Sequence, residues 1–435
     1  MGVKIVNIYE ISIMKSKKKS LTLQKIVVLG SFLALEDVKM EEKCSDNSVF
    51  NEKFFDMSKI VIKEVKNAQD LRKFIRFNYK LYKDNPYSVP DLCEDMLETF
   101  SERNAAMEFC SAKYFLAYKN EELVGRVAGI INTRANDVWN ERAVRFGWID
   151  FIDDTDVSKA LIDAVAEWGA SEGMSMIHGP LGFTDFDAEG MLVEGFDQLS
   201  TMATIYNYPY YPEHMKALGF EKESDWVEFR LTVPDKVPER LSSMAEFVMK
   251  RYGLEIKKYK SSKKLMKEYG RQIFEVLNEA FKPLFGFSPL SPKQIDQYVK
   301  MYLPIIDLDL VSLITESDGT LIGVGVSMPS LSKALQNAKG KLFPLGWAEF
   351  MKILKMKHRP DTLDLMLVGV LPKYQNKGVN AILFYDLLPI YIRQGYKYVE
   401  TNPELETNNK VQQQWIYFDK VQHKRRRCWK KQLED

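Results

Sequence analysis

Apolar residues recur with a period of two in short runs and a period near 3.6 in longer ones, and the same succession of runs occurs twice. From residue 57 the chain reads Met-Ser-Lys-Ile-Val-Ile-Lys-Glu-Val, an alternating strand. The runs 113–118 and 123–131 flank the turn 119–122 and predict a hairpin. The runs 311–315 and 321–328 flank 316–319 and predict a second one. Each hairpin places a glycine early in its returning strand, Gly125 and Gly323. Each is followed by a β-rich run (144–152; 364–370), a helix (156–172; 379–394), a glycine and a short strand. Helical stretches at 68–82 and 264–281 precede the hairpins, and closing helices are expected at 211–218 and 408–421. The repeated order predicts an α/β (α+β) protein built from one module used twice, each copy a mixed, mostly antiparallel sheet flanked by helices. Two prolines in Val233-Pro-Asp-Lys-Val-Pro238 mark the join, giving modules 58–235 and 236–435.

Residues 1–57 do not follow this plan. Lys15 to Lys19 and the apolar run after Leu21 imitate an export signal, but Gln24 and Lys25 interrupt the run and Glu36 and Asp37 end it. Its uninterrupted length is far below the roughly 20 residues of a membrane helix. The expectation is a poorly ordered leader or a mis-assigned start, and a cytoplasmic protein.

The chain has 435 residues, 46% hydrophobic, enough for two cores. Sixty-one Lys+Arg against 60 Asp+Glu leave a net charge of +1, which argues against a nucleic-acid protein. Cys44, Cys93, Cys110 and Cys428 are scattered, as are His178, His214, His358 and His423, so no metal site is expected from spacing.

The segment with most chemical content is Leu367-Val-Gly-Val-Leu-Pro-Lys-Tyr-Gln-Asn-Lys-Gly-Val-Asn380. A strand ends at Val370, a proline turns the chain, and Gln375-x-x-Gly378-x-Asn380 opens a helix. Such a loop points backbone N–H groups at a helix N-terminus, where an anion is favoured. This resembles the acyl-CoA pyrophosphate loop of the GCN5-related N-acetyltransferase (GNAT) superfamily, with Asn380 standing where a small residue is usual. The resemblance implies two tandem GNAT-like modules. It also implies acyl-CoA as co-substrate, held by Val368, Val370, Gln375, Asn376, Lys377, Gly378, Val379, Asn380 and Asn408. The first half reads Asp153-Asp-Thr-Asp-Val-Ser158 at the corresponding place. Its carboxylates would repel a pyrophosphate and serve better as helix caps, so the cofactor is expected in the second half.

The first half carries a block without helical or strand period, His178-Gly-Pro-Leu-Gly-Phe-Thr-Asp-Phe-Asp-Ala-Glu-Gly-Met-Leu-Val-Glu-Gly-Phe196. Together with Gly125-Arg126, Phe146 to Phe151 and Tyr206 to Phe220, it is similar to the large two-module bacterial acyltransferases that include bacterial ceramide synthase. That likeness implies transfer of a fatty acyl group to a primary amine, a long-chain (sphingoid) base among the candidates. Asp185, Asp187 and Glu189 are candidates to bind or deprotonate the acceptor ammonium. His178, which titrates near neutral pH, is a candidate base or a turn residue. Within the GNAT resemblance Glu406 is the preferred base, Asn408 matches the Asn that contacts the cofactor arm, and Tyr417 stands near the position of the acid, two residues late.

Two basic features remain. Segment 343–358 carries apolar residues at helical spacing with Lys352, Lys355, Lys357 and His358, and suits either peripheral contact with the inner membrane, a lid over a lipid chain, or an insertion packed between modules. The tail His423-Lys-Arg-Arg-Arg-Cys-Trp-Lys-Lys431 suits the 3′-phosphate of CoA, anionic lipid heads, or neither. Two other functions share the fold: a non-catalytic module that binds acyl-CoA or lipid, and a transferase that takes its group from aminoacyl-tRNA.

Overall fold

The computed structural model describes residues 59–302, 306–342, 346–354 and 360–433, so the leader 1–57 lies outside the described residues. The first half runs β1 (Val61–Glu64), α1 (Ala68–Leu81), β2 (Cys110–Lys119), β3 (Glu122–Asn132), β4 (Ala143–Phe151), α2 (Thr155–Ser171), β5 (Met176–Gly179), β6 (Met191–Glu194) and β7 (Glu221–Thr232). The second runs α3 (Glu239–Tyr252), β8 (Leu254–Lys257), α4 (Ser262–Phe281), α5 (Pro292–Tyr302), β9 (Val311–Glu316), β10 (Leu321–Pro329), β11 (Thr362–Val370), α6 (Val379–Gln394), β12 (Tyr398–Thr401), β13 (Glu404–Leu405) and β14 (Asp419–Gln432). Both hairpins, both third strands and both crossover helices fall where the hydrophobic period places them. The reason is local: each strand buries one continuous face, and each crossover helix carries an apolar stripe onto it. Val157, Leu161, Val165 and Trp168 of α2 pack on the first half's strands, and Leu383, Leu387 and Tyr391 of α6 on the second's.

All described strands join one mixed sheet in the order β1-β2-β3-β4-β5-β14-β7-β12-β11-β10-β9-β8, with β6 added to β14 and β13 to β7. The β4/β5 and β11/β12 pairs are parallel, each spanning its crossover helix. The halves exchange their last strands. β7, from the first half, lies against β12 of the second; β14, from the second, lies against β5 of the first. These two strands then pair antiparallel with each other from Asp419↔Thr232 to Lys430↔Glu221.

This exchange corrects the reading of the C-terminus. The helix expected over 408–421 is reduced to one turn, Asn409–Gln412, and a 3-10 turn, Gln413–Tyr417, before the chain extends into β14. The cationic tail is therefore a central strand. Its period of two is written in Lys424, Arg426 and Cys428, all fully buried, rather than in apolar residues. Lys424 and Arg426 are accepted inside because Glu228 of β7 stands opposite. Its carboxylate lies 2.8 Å from Lys424 Nζ and 2.5 Å from Arg426 Nε. Arg426 also donates to the Ile205 carbonyl, and Lys424 to that of Leu199 at 3.3 Å. Burial alone would raise the Glu228 pKa, but Arg426 and Lys424 outweigh it and hold the carboxyl down at about 2.

Segment 343–358 is described over the helix Trp347–Leu354; Lys355, Lys357 and His358 lie outside the described residues, as does the Lys352 side chain. Among the described residues no helix is long and apolar enough to cross a membrane.

Replacing Glu228 by Gln leaves buried Arg426 without its carboxylate and Lys424 with only that of Glu400, 3.6 Å away, and should cost about 3–5 kcal/mol in a urea-unfolding measurement. Because the folded-state pKa lies below the unfolded one, the contribution of Glu228 is complete above the unfolded value of about 4.3 and is lost as pH falls toward about 2. Acid unfolding followed by circular dichroism should therefore show a steeper loss between those values in the native chain than in Glu228→Gln.

Candidate active site

β11 and β12 pair only from Thr362↔Tyr398 to Leu365↔Thr401. Beyond that point β11 continues to Val370 with β10 on its far side, while β13 leads away onto β7. The divergence begins at a bulge. Val326 faces Leu367 and Ser327 faces Leu365, leaving Met366 as an extra residue that bends its strand. Asn402 secures the fork, its Nδ2 donating to the carbonyls of Leu365 and Met366.

The freed edge of β11 faces a cleft of about 1160 Å³. Val368, Val370, Gln375, Asn376, Lys377, Gly378, Val379, Asn380 and Asn408 all line it. A 3-10 turn at Pro372–Tyr374 carries the chain out of β11, and Gln375 Nε2 donates back to the Val370 carbonyl at 3.1 Å. Asn376 and Gly378 then take left-handed backbone angles, φ 63° and 80°. Gly378 is the N-cap of α6, and no side chain caps that first turn. A Cβ at Gly378 would come 3.1 Å from Val248 Cγ2, so backbone rather than side chain forms the cleft floor. Lys377 sits over the Tyr252 and Tyr374 rings at 5.3 and 5.1 Å, placing a cation beside the bare helix end.

The first half has the opposite arrangement. Asp154 caps α2 by accepting from Asp156 N at 3.0 Å and pairs with Lys119 Nζ at 2.6 Å. That helix end already holds a carboxylate.

Inward of the cleft, sharing Val368, Leu405 and Asn408 with it, lies a pocket of about 140 Å³. Asp185, Asp187 and Glu189 reach it from the first half, and Glu404 from the second. Enclosure dominates their electrostatics: burial pushes Asp185 up to about 7 and Glu189 up to about 8. Burial likewise raises Glu404 to about 8, against a hydrogen bond from Trp415, whose Nε1 donates to its two oxygens at 3.0 and 3.2 Å. Asp187 also borders a second first-half pocket of about 80 Å³, lined by Asp91, Asp95, Asp150 and Arg126. Burial pushes Asp91 up to about 6 there. Asp91 and Asp95 belong to no sequence motif, and only the folded chain brings them to this pocket.

The remaining sequence candidates lie elsewhere. Glu406 lines neither cavity. It is ion-paired with Lys222 and with Arg425 Nη1 at 2.8 Å, which β14 brings alongside. His178 is buried on β5 opposite Lys430 of β14, its Nδ1 3.0 Å from Glu223 Oε2. Cys428 Sγ donates to the same oxygen at 3.3 Å. The ligand atoms of these three residues lie within 4.8 Å of one another, and the shared carboxylate oxygen already serves both neighbours. Asn408 caps the turn 409–412, accepting from Val411 N at 3.4 Å, while its side of the chain borders both cavities. Tyr417 ends the 3-10 turn, and its side chain lies outside the described residues. Glu404, two residues before the expected base, is the carboxylate that the second half turns into the pocket.

Among solved structures, the chain matches a tandem GNAT protein from the clavulanic acid biosynthesis pathway with a TM-score of 0.50, covering 87% of this chain and 99% of that one at 11% identity. The chain has a tandem GNAT fold. The parted strands β11 and β12 of the second half form the cleft. By sequence the chain is 26% identical over 372 residues to protein YghO of Escherichia coli, covering 84% of this chain and 94% of that protein. It is also 26% identical over 353 residues to bacterial ceramide synthase of Caulobacter vibrioides, covering 79% and 90% respectively. No family model matches the chain.

Site-resolved infrared or NMR titration of Glu404 should place its midpoint near 8. Trp415→Phe removes a donor to the charged form and should move that midpoint upward.

Proposed function

We propose that the protein is an acyl-CoA-dependent N-acyltransferase whose acceptor is a primary amine, with a long-chain base as the leading candidate. The observation that carries this reading is the continuity of two unlike cavities. An uncapped helix end with a cation beside it opens onto a freed strand edge, and that edge leads into a pocket walled by four carboxylates.

Each part has a task. The loop from Gln375 to Asn380 offers backbone amides to the pyrophosphate of the donor, with Lys377 adding charge. The edge of β11 at Val368 and Gly369, beyond its last pairing with β12, offers peptide groups to the amide-bearing arm. Asp185, Asp187 and Glu189 draw an ammonium into the pocket. Glu404 is the base in this proposal. An alkylammonium titrates near 10 and an ordinary carboxylate near 4. A carboxylate at about 8 therefore accepts the ammonium proton with a far smaller uphill step. Glu406 is left as a structural ion-pair partner of β14. The ceramide synthase name of one relative supports a long-chain base as acceptor. The tRNA-dependent alternative is weakened, because Lys424 and Arg426 of the cationic tail are buried and Arg425 and Arg427 are ion-paired with Asp225.

Purified protein incubated with palmitoyl-CoA and sphinganine should release free CoA and form the N-acyl product, read by thiol titration and mass spectrometry. No product across a panel of primary amines would overturn the reading. Gly378→Glu places a charged side chain at a left-handed position on the cleft floor, and should weaken CoA binding at least about tenfold by calorimetry while costing only about 1–2 kcal/mol of stability from backbone strain. Glu404→Gln should lower kcat about a hundredfold or more. Because the base must be ionised, kcat/KM of the native protein should rise with pH through about 8, and a profile flat across that range would remove Glu404 from the role.

A further inference from the structure

We infer that His178, Glu223 and Cys428 form a binding site for a divalent metal ion of the zinc class. The site is independent of the acyl-transfer reading. Its three side chains come from β5, β7 and β14, and so from both halves of the chain. Each is more than nine-tenths buried. Glu223 Oε2 lies 3.0 Å from His178 Nδ1 and 3.3 Å from Cys428 Sγ, and all three ligand atoms fall within 4.8 Å of one another. The other ring nitrogen of His178 is buried and has no hydrogen-bond partner among the described residues, so the polar contact of the ring is made with this cluster.

The backbone is shaped to bring these groups together. His178 stands opposite Lys430 of β14, and Cys428, two residues earlier, shares that face of its strand. On the other side of β14, Cys428 faces Ser224 and Trp429 faces Lys222, which leaves Glu223 as an extra residue in β7. Regular alternation would send Glu223 to the face opposite that of Ser224 and Cys428. The bulge re-aims it, and its carboxylate meets the thiol and the imidazole instead.

The ligand set names the class of ion. A thiol, an imidazole and a carboxylate suit Zn²⁺ and its neighbours rather than Mg²⁺ or Ca²⁺, which take oxygen ligands. A tetrahedral zinc site has ligand–ligand edges of about 3.3–3.6 Å, so the two measured contacts need to open by only ~0.3 Å. The charges agree. Burial opposes ionisation of Glu223, but His178 and Cys428 outweigh it and hold the carboxyl below its usual range. Burial and the charge of Glu223 push the Cys428 thiol well above its ordinary value, so without a metal it is an inert thiol rather than a nucleophile. An entering Zn²⁺ bonds the sulfur as the thiol proton leaves to solvent. Thiolate, carboxylate and neutral imidazole then cancel the two positive charges, as a buried site requires. The described residues supply three ligands, and water takes the fourth position. The bound ion ties β5 to β7 and β14 where the halves exchange strands.

The test uses the whole protein, purified under reducing conditions and stripped of metal with a chelator. Titration with Co²⁺ should show stoichiometric binding and the intense near-ultraviolet absorption of a cobalt–thiolate bond. Zn²⁺ should bleach that absorption by displacement, and its binding to the stripped protein should release protons into weakly buffered solution. The melting temperature should rise with zinc concentration. Cys428→Ser should lose the absorption. Glu223→Gln and His178→Gln should weaken Co²⁺ binding at least about tenfold, since even changes outside the ligand shell cost that much, and should gain no stability from zinc. Circular dichroism of each metal-free variant checks that it is folded; where one is not, the titration of the native chain decides. No cobalt–thiolate absorption in the native protein overturns the site. An absorption that survives in folded Cys428→Ser gives the ion to another thiol and overturns it as well.

Discussion

One carboxylate, that of Glu228, makes the central seam of this protein tolerable. A strand carrying Lys424 and Arg426 into the middle of a sheet would ordinarily be expelled, since desolvating two cations costs several kcal/mol each. Glu228 neutralises one charge and hydrogen-bonds both groups, and the carbonyls of Ile205 and Leu199 take further donors. The placement of β14 decides more than the sheet. β6 adds to β14 through Leu192↔Arg426 and Met191↔Arg427. Gly190, at the end of the acidic loop, lies so close that a Cβ there would be 2.8 Å from Arg426 Cβ. The loop that carries Asp185, Asp187 and Glu189 is thus anchored to a strand of the other half, and this anchoring directs first-half acids toward the second half's cleft.

The electrostatics of the pocket follow from that enclosure. Carboxylates gathered in a space of about 140 Å³ cannot all ionise without a counter-ion. The raised pKa values of Asp185, Glu189 and Glu404 express an unfilled demand for positive charge, since no cation is among the described residues that line the pocket. The demand differs from that at Glu228, where the partners are built in and the pKa is depressed. One buried acid is held charged by its partners; the others are held toward the neutral form by burial.

Much of the fold was legible because each strand, hairpin and crossover helix carries its own hydrophobic period, and the phosphate loop is local in sequence. Three things were not legible, for related reasons. β14 reads as a solvated basic tail because its buried period is written in cations, and only the facing Glu228 turns those residues into core. Glu404 and Glu406 are equivalent in sequence, two acids in one short segment; they separate when β14 supplies Arg425 to one and Trp415 turns its indole to the other. His178 stood out as a lone titratable group, yet Glu223 and Cys428, distant in sequence, absorb it into a buried hydrogen-bonded triad. In each case the deciding partner is more than ten residues away or in the other half.

The strand exchange has a consequence in time as well as space. The first half cannot complete its sheet from its own residues, because the place beside β5 belongs to residues 419–432. During synthesis the N-terminal half emerges early and must hold an open sheet edge, the kind of surface that pairs with strangers, until residues 419–432 have been added. Closure of both halves is then a single late event with high contact order, and slow for that reason. A chain broken off before residue 419 is not a protein missing a tail: the edge of β5 stays open, and β7, still paired with β12, has nothing on its other side.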